Sequence, residues 1–140
     1  MTTKAQALIP IFIAAVIIGS IGLLTLPSEI KLEQVKFPKG MIKVDQTLLE
    51  VQIADTEPTR VRGLMFQDQL PLDQGMLFVF PEQGLYSLWM LNMQFELDMI
   101  WFDNDGKVVH IKTNVPPCVI PVEIAAGFPS FVPDGEATYI

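Results

Sequence analysis

The residue best placed to carry chemistry is Asp98, because it lies in the almost wholly apolar stretch 95–102. An isolated carboxylate in such a strand is costly to bury unless a donor pairs with it. Arg62 and Asn92 are candidate donors, and with Trp89 they would form a ligand-binding or acid/base pocket around Asp98. The alternative is structural: Asp98 would form an ion pair or bond to the backbone and so fix the sheet.

Sulfur-bearing side chains are the second chemical feature. Five of the seven Met residues lie within thirty-five residues of chain, at positions 65, 76, 90, 93 and 99. Thioethers are soft ligands that suit Cu(I), and the weak candidates for a copper site are Met65, Met90, Met93, His110 and Cys118. Met also fills irregular cores beside aromatic rings, and no Met-x-Met or Cys-x-x-Cys spacing occurs. We therefore favour packing, expect no cofactor and keep copper handling as an alternative.

The chain offers no recognisable catalytic constellation. His110 alternates with Val109 and Ile111, as expected of a histidine at a strand edge, and Cys118 would be a nucleophile only with a His nearby. The run Asp103-Asn104-Asp105-Gly106 is typical of a tight turn and lacks the distal Glu of a Ca²⁺ loop. We predict no catalytic residues, which disfavours an enzyme.

An apolar segment precedes these residues. Residues 7–26 carry no charge and have the ~20-residue length needed to cross a bilayer as a helix. The residues before Pro27 contain no Ala-x-Ala pattern, which argues against cleavage by a signal peptidase. Residues 1–28 are therefore predicted to be a transmembrane anchor or uncleaved signal, and residues 29–40 a tether.

Two features of the sequence indicate opposite sides of the membrane for the domain that follows the apolar segment. Lys4 precedes the segment and three Lys residues come after it, which by charge alone would keep the domain inside. A very short tail before an apolar run is typical of signal-anchors that export the downstream domain. We expect a single-pass membrane protein with an extracytoplasmic domain.

The rest of the chain is acidic. From Glu29 onward it holds 8 of the 9 basic residues and all 16 acidic ones, a net charge of 8 − 16 = −8. Nucleic-acid binding needs clustered Lys and Arg that displace counterions. The expected partners are therefore the membrane, through the N-terminal helix, and proteins rather than nucleic acid.

Local patterns predict a mainly β (β-rich α+β) fold in residues 41–140. Apolar, β-branched runs predict strands at 41–44, 47–54, 76–80, 86–90, 95–102 and 107–112. Thr56 followed by Pro58 predicts the start of one short helix. Five prolines in 115–133 exclude a central strand there. Short strands around one helix favour a small closed or partly open barrel-like sheet.

Four blocks of sequence carry a family resemblance. They are ADTEPTRVRGLM at 54–65, GMLFVF at 75–80, SLWMLN at 87–92 and LDMI at 97–100. In this order and spacing, with the Asp-Gly turn and Pro116-Pro117-Cys118, they resemble the uncharacterised family called domain of unknown function 192. The resemblance implies a compact β-rich fold with one short helix and no settled reaction. Leu91 and Glu96 depart from the Lys and Pro that are usual at these positions.

The C-terminal end differs from the family pattern as well. Members typically continue through a further strand past the position of Thr138-Tyr139-Ile140, so we expect a domain shortened at that end, or a missing strand edge supplied by a protein partner. The leading hypothesis is a membrane-anchored extracytoplasmic binding or accessory module, such as a subunit of a membrane complex. The alternatives are a ligand-binding protein or enzyme using the Asp98 pocket, and a copper-handling module.

Overall fold

A computed structural model describes residues 35–118 and 129–140. They lie in one compact unit, Val35–Ile140. The predicted anchor at 1–28 and residues 29–34 of the tether lie outside the described residues. Within the described ranges, no helix combines the length and the apolar character needed to cross a bilayer.

The described domain is mainly β with one short helix, as predicted. Helix α1 spans Glu57–Arg62. The strands are β1 Lys39–Val44, β2 Thr47–Ala54, β3 Gln74–Gly84, β4 Leu88–Trp89, β5 Leu97–Phe102, β6 Val108–Val115, β7 Ser130–Phe131 and β8 Ala137–Tyr139.

Six strands form one mixed sheet in the order β1-β2-β3-β8-β5-β6, and β4 and β7 form a separate antiparallel pair. The β2–β3 pair is parallel, because α1 lies in the connection and returns the chain in the same direction. The other neighbours in the sheet are antiparallel.

The expectation of a closed barrel-like sheet is wrong for the described part of the chain. Closure requires the two edge strands to pair with each other, and β1 and β6 lie at opposite ends of the strand order. β8, expected to border an open C-terminal edge, instead pairs with β3 on one side and β5 on the other. Alternating hydrophobicity predicts that a strand exists but not which strand lies beside it.

Local sequence explains α1. The Thr59 backbone N–H donates to the Thr56 hydroxyl at 3.4 Å, and the Thr59 hydroxyl accepts from the Thr56 backbone N–H at 2.9 Å. This capping box satisfies two amide donors that a helix start leaves unpaired. Gly63 ends the helix with φ 47°, a conformation that favours glycine.

The core gathers around Trp101, which is fully buried. Its Nε1–H donates to the Tyr86 carbonyl at 2.8 Å, so the indole is packed without an unpaired donor. Met90, Met93 and Met99 lie in the same cluster of buried side chains, where flexible thioethers fill irregular space beside the ring.

Candidate functional site

The described domain contains a groove between β3 and β5, here called the β3–β5 groove, with a volume of about 570 Å³. Its walls come from the first three strands, β5 and the segment that follows α1. The described residues that line it are Ile42, Val44, Leu49, Val51, Leu64, Gln69, Leu70, Pro71, Leu72, Gln74, Gly75, Met76, Leu77, Phe78, Leu88, Phe95, Glu96, Leu97, Asp98, Met99, Ile100, Phe102, Asn114 and Ile140.

The groove lies next to the pairs that β8 forms with β3 and β5. Tyr139 of β8 is opposite Val79 of β3 and opposite Phe102 of β5. Met76 and Leu77 of β3 line the groove on one side, and Met99 and Ile100 of β5 line it on the other.

Backbone polar groups of β3 point into the groove. The Phe78 N–H donates to the Ile140 carbonyl at 2.9 Å, and the Ile140 N–H donates to the Phe78 carbonyl at 3.2 Å. Backbone orientation repeats every two residues along a strand, so the N–H and C=O of Met76 face the same side as those of Phe78. β2 pairs along the opposite edge of β3.

Both faces of the groove are apolar. On the side of the core, Leu70, Met76, Phe78 and Leu97 pack against the buried cluster that contains Met99. Side chains alternate between the two faces of the sheet along each strand, so β1, β2, β3 and β5 place a second set of apolar side chains on the opposite face. This set is Ile42, Leu49, Val51, Leu77, Ile100 and Phe102. An occupant would therefore contact apolar surface above and below the plane of the sheet.

The charged lining of the groove is acidic. Glu96 and Asp98 contribute carboxylates, while Gln69, Gln74 and Asn114 contribute neutral polar groups. Among the described lining residues there is no Lys, Arg or His. Such a lining favours a neutral or cationic group near Asp98 over an anionic one.

The four residues predicted to share a pocket do not all line this groove. Asp98 does, and it is exposed rather than buried. Its Oδ1 accepts the backbone N–H of Asn114 at 2.8 Å, which is the structural alternative raised above. Trp89 lies on β4 with 47% of its surface exposed, and it is not among the lining residues, although its neighbour Leu88 is.

Arg62 and Asn92 each contact Phe66, in the segment after α1. The buried Arg62 guanidinium lies 5.0 Å from the centroid of the Phe66 ring. The Asn92 carbonyl accepts the Phe66 N–H at 3.1 Å, and its side-chain amide lies 3.9 Å from the Met65 sulfur. These contacts join the segment after α1 to the loop that follows β4.

The sulfur and imidazole candidates occupy packed or paired positions. Met65, Met90 and Met93 are buried, and the Cys118 N–H donates to the Met90 carbonyl at 3.2 Å. His110 Nδ1 lies 2.8 Å from Asp134 Oδ2, and its ring meets Trp101 edge-on at 5.2 Å. Within 35–118 and 129–140, no three His, Cys, Asp or Glu side chains could together hold a metal. Copper binding through thioethers stays a prediction.

Sequence reasoning missed most of the groove, although a signal was present. Residues 75–80 and 95–102 are apolar at nearly every position rather than at alternate ones, which is typical of strands covered on both faces. That pattern indicates two buried faces, but it does not identify which strand lies between them.

Comparisons with known proteins agree with the fold. A family model for domain of unknown function 192, described as an uncharacterized ACR, matches residues 40–133. Two solved structures are similar. One is a proposed transcription regulator from Sinorhizobium meliloti 1021, at 27% identity and TM-score 0.62, covering 76% of this chain and 80% of that one.

The other is a protein of unknown function from Novosphingobium aromaticivorans DSM 12444, at 21% identity and TM-score 0.60, covering 74% of this chain and 69% of that one. No curated protein matches. The family match spans well over half of the sequence and confirms the resemblance carried by the four blocks. The chain belongs to the domain of unknown function 192 family.

Proposed function

We propose that this protein is a membrane-anchored, extracytoplasmic binding or accessory module and that the β3–β5 groove is its binding site. The observation that carries the proposal is a groove of about 570 Å³ with apolar side chains on both faces. Ligand sites of proteins are typically clefts of roughly 300–1,000 Å³ lined by apolar groups with a few polar ones. The uncharged run at 7–26 supports the membrane anchor.

The composition of the lining favours binding over catalysis. The described lining residues include no Ser, Thr, Cys, His, Lys or Tyr, and so no common nucleophile apart from carboxylates. Of the two carboxylates, Asp98 already accepts a backbone hydrogen bond. His110 is paired with Asp134 outside this lining. The groove can enclose and select an apolar group, but it offers little for making or breaking bonds.

Site-specific photo-crosslinking tests the proposal in the native membrane. The full chain would carry a photo-reactive phenylalanine analogue either at Leu77, which lines the groove, or at Leu85. Leu85 is the matched control, because it is 60% exposed and is not among the lining residues. We expect adducts of discrete mass from position 77 and none from position 85.

A second variant ties the adducts to the groove. A Cβ placed on Gly75 would sit 3.6 Å from the Val51 side chain, an ordinary contact, and Gly75→Val would add side-chain volume to the groove lining. This substitution should abolish the adducts from position 77. Equal adducts from positions 77 and 85, or adducts that persist in the Gly75→Val chain, would refute the groove as the binding site.

A further inference from the structure

We infer that one face of the β1–β2 hairpin binds the surface of the membrane, where its lysines contact anionic phospholipid headgroups. This inference rests on the proposed function, because it takes the anchor in the uncharged run 7–26 as given. It adds the surface through which the domain itself contacts lipid. That surface is the face of the hairpin opposite to the one that lines the β3–β5 groove.

The register of β1 and β2 separates the two faces of the hairpin. Ile42 is opposite Leu49, and both line the groove. Side chains alternate along each strand, so the other face, here called the outer face, carries the intervening residues. The outer face consists of Lys39, Met41 and Lys43 of β1 with Leu48 and Glu50 of β2. The three β1 residues of this set are exposed, whereas Gly40, Ile42 and Val44 between and beside them are half-buried.

The outer face combines cationic and large apolar side chains. Met41 is 57% exposed and Leu48 is 60% exposed. Lys43 is directly opposite Leu48, and Met41 is one pair further along the same face, so the two apolar side chains are diagonal neighbours beside a lysine. A lysine can lay its methylene stem along apolar surface while its ammonium stays among polar headgroups. Apolar side chains flanked by lysines are also the composition of helices that lie in the membrane interface.

Charge is distributed unevenly along the chain. Residues 29–44 hold four Lys and two Glu, a net charge of 4 − 2 = +2, whereas residues 45–140 hold four basic and fourteen acidic residues, a net charge of 4 − 14 = −10. Of the two acids in the hairpin, Glu50 is paired with Lys39 at 2.7 Å, and Asp45 lies in the turn. An anionic bilayer would therefore repel most of the domain and attract the region around β1, which favours one orientation.

The length of the tether favours lipid as the occupant of the outer face. Twelve residues, 27–38, separate the apolar run from β1, and even fully extended they reach roughly 40 Å. Such a linker holds the hairpin at a high effective concentration beside the lipid surface. Contacts that are too weak to bind a free domain can then orient an anchored one. A soluble protein partner gains no such proximity, so we assign the outer face to the membrane.

Photo-crosslinking in nanodiscs of defined composition tests the inference. The full chain would carry a photo-reactive phenylalanine analogue at Leu48 or, as the matched control, at Ile111. Ile111 is 52% exposed and lies on β6, at the opposite end of the strand order. The nanodiscs would contain phosphatidylcholine alone or phosphatidylcholine mixed with phosphatidylglycerol, and mass spectrometry would identify the lipid adducts.

We expect position 48 to give at least about fivefold more lipid adduct than position 111 in the nanodiscs that contain phosphatidylglycerol. The excess should fall in phosphatidylcholine alone and at high salt, which screens exposed charges. These comparisons need no change to the lysines, so they do not depend on how a lysine variant folds.

A charge variant ties the adducts to the lysines. Lys36→Gln combined with Lys43→Gln removes two exposed charges and keeps the ion pair between Lys39 and Glu50. One lysine near an anionic surface changes binding by about fivefold, so the double variant should lower the lipid adducts from position 48 by at least that factor. Circular dichroism of the variant checks that the domain remains folded.

Three outcomes would overturn the inference while the full chain still co-elutes with the nanodiscs, which shows that the anchor holds. Equal lipid adducts from positions 48 and 111 would mean that the domain has no preferred orientation. Equal adducts in the two kinds of nanodisc would exclude the lysines as the lipid-binding groups. Protein adducts in place of lipid adducts at position 48 in the native membrane would assign the outer face to a partner protein. A full chain that does not co-elute would contradict the anchor in the proposed function and this inference with it.

Discussion

The backbone N–H of Asn114 donates a 2.8 Å hydrogen bond to the Oδ1 of Asp98 across the β5–β6 pair. This hydrogen bond lies where the register of the β5–β6 pair shifts, between Leu97 and Met99. Asn114 adopts φ 53° at this point. The carboxylate thus satisfies an amide that a regular ladder would have paired with a carbonyl. It also fixes one of the two acidic groups that line the groove.

Removing this acceptor should destabilise the domain. Asp98→Ala leaves the Asn114 amide without its side-chain partner and should lower the free energy of unfolding by about 1 kcal/mol. Asp98→Asn keeps an oxygen at the same place and should cost less. Urea unfolding of the full chain in mild detergent, followed by tryptophan fluorescence, measures both. Equal stability of the Ala variant and the parent would show that the bond contributes nothing.

The left-handed backbone conformation of Asn114 leads to a separate prediction about stability. Asn tolerates positive φ and glycine adopts it freely, whereas a β-branched residue does not. Asn114→Gly should be close to neutral, and Asn114→Val should lower the free energy of unfolding by about 1–2 kcal/mol. Thermal unfolding of the two variants side by side is the measurement. A Val variant as stable as the Gly variant would mean that the conformation at this position relaxes.

The two tryptophans should differ sharply in their contribution to stability. Trp101 is fully buried and donates to the Tyr86 carbonyl, whereas Trp89 is 47% exposed. Trp101→Phe loses that bond and leaves a cavity, so we expect a cost of about 2 kcal/mol. Trp89→Phe should change stability by less than about 0.5 kcal/mol. The prediction fails if urea unfolding gives the two variants the same midpoint.

The membrane anchor is tested by extraction. If residues 1–28 remain attached and span the bilayer, the full chain should stay in the pellet after alkaline carbonate washing. A chain that lacks 1–28 should move to the supernatant. Protease added to intact cells should degrade the domain only if it is extracytoplasmic. Release of the full chain by carbonate would contradict the anchor, and protection from protease would contradict the orientation.

Local patterns predicted the elements well. The turn at Asp45-Gln46 joins β1 to β2, the Asp105-Gly106 turn joins β5 to β6, and α1 begins after Thr56 as expected. Each depends on residues close together in the chain, where turn and capping preferences act. The predicted strand at 86–90 is shorter, covering Leu88–Trp89, since it pairs only with the two residues of β7.

The candidate site was predicted only in part, because it depends on contacts between distant parts of the chain. Asp98 does require a donor, but the donor is the Asn114 amide rather than the Arg62 guanidinium. The sheet places β8 between β3 and β5, although β8 begins about fifty residues after the end of β3. Periodicity in one segment carries no information about such an insertion.

Photo-crosslinking from Leu77 tests the central claim most directly. The claim is that the β3–β5 groove is the binding site of the protein. A photo-reactive phenylalanine analogue at Leu77 of the full chain in its native membrane should give adducts of discrete mass, while the same analogue at the exposed Leu85 should give none. Equal adducts from the two positions would contradict the account.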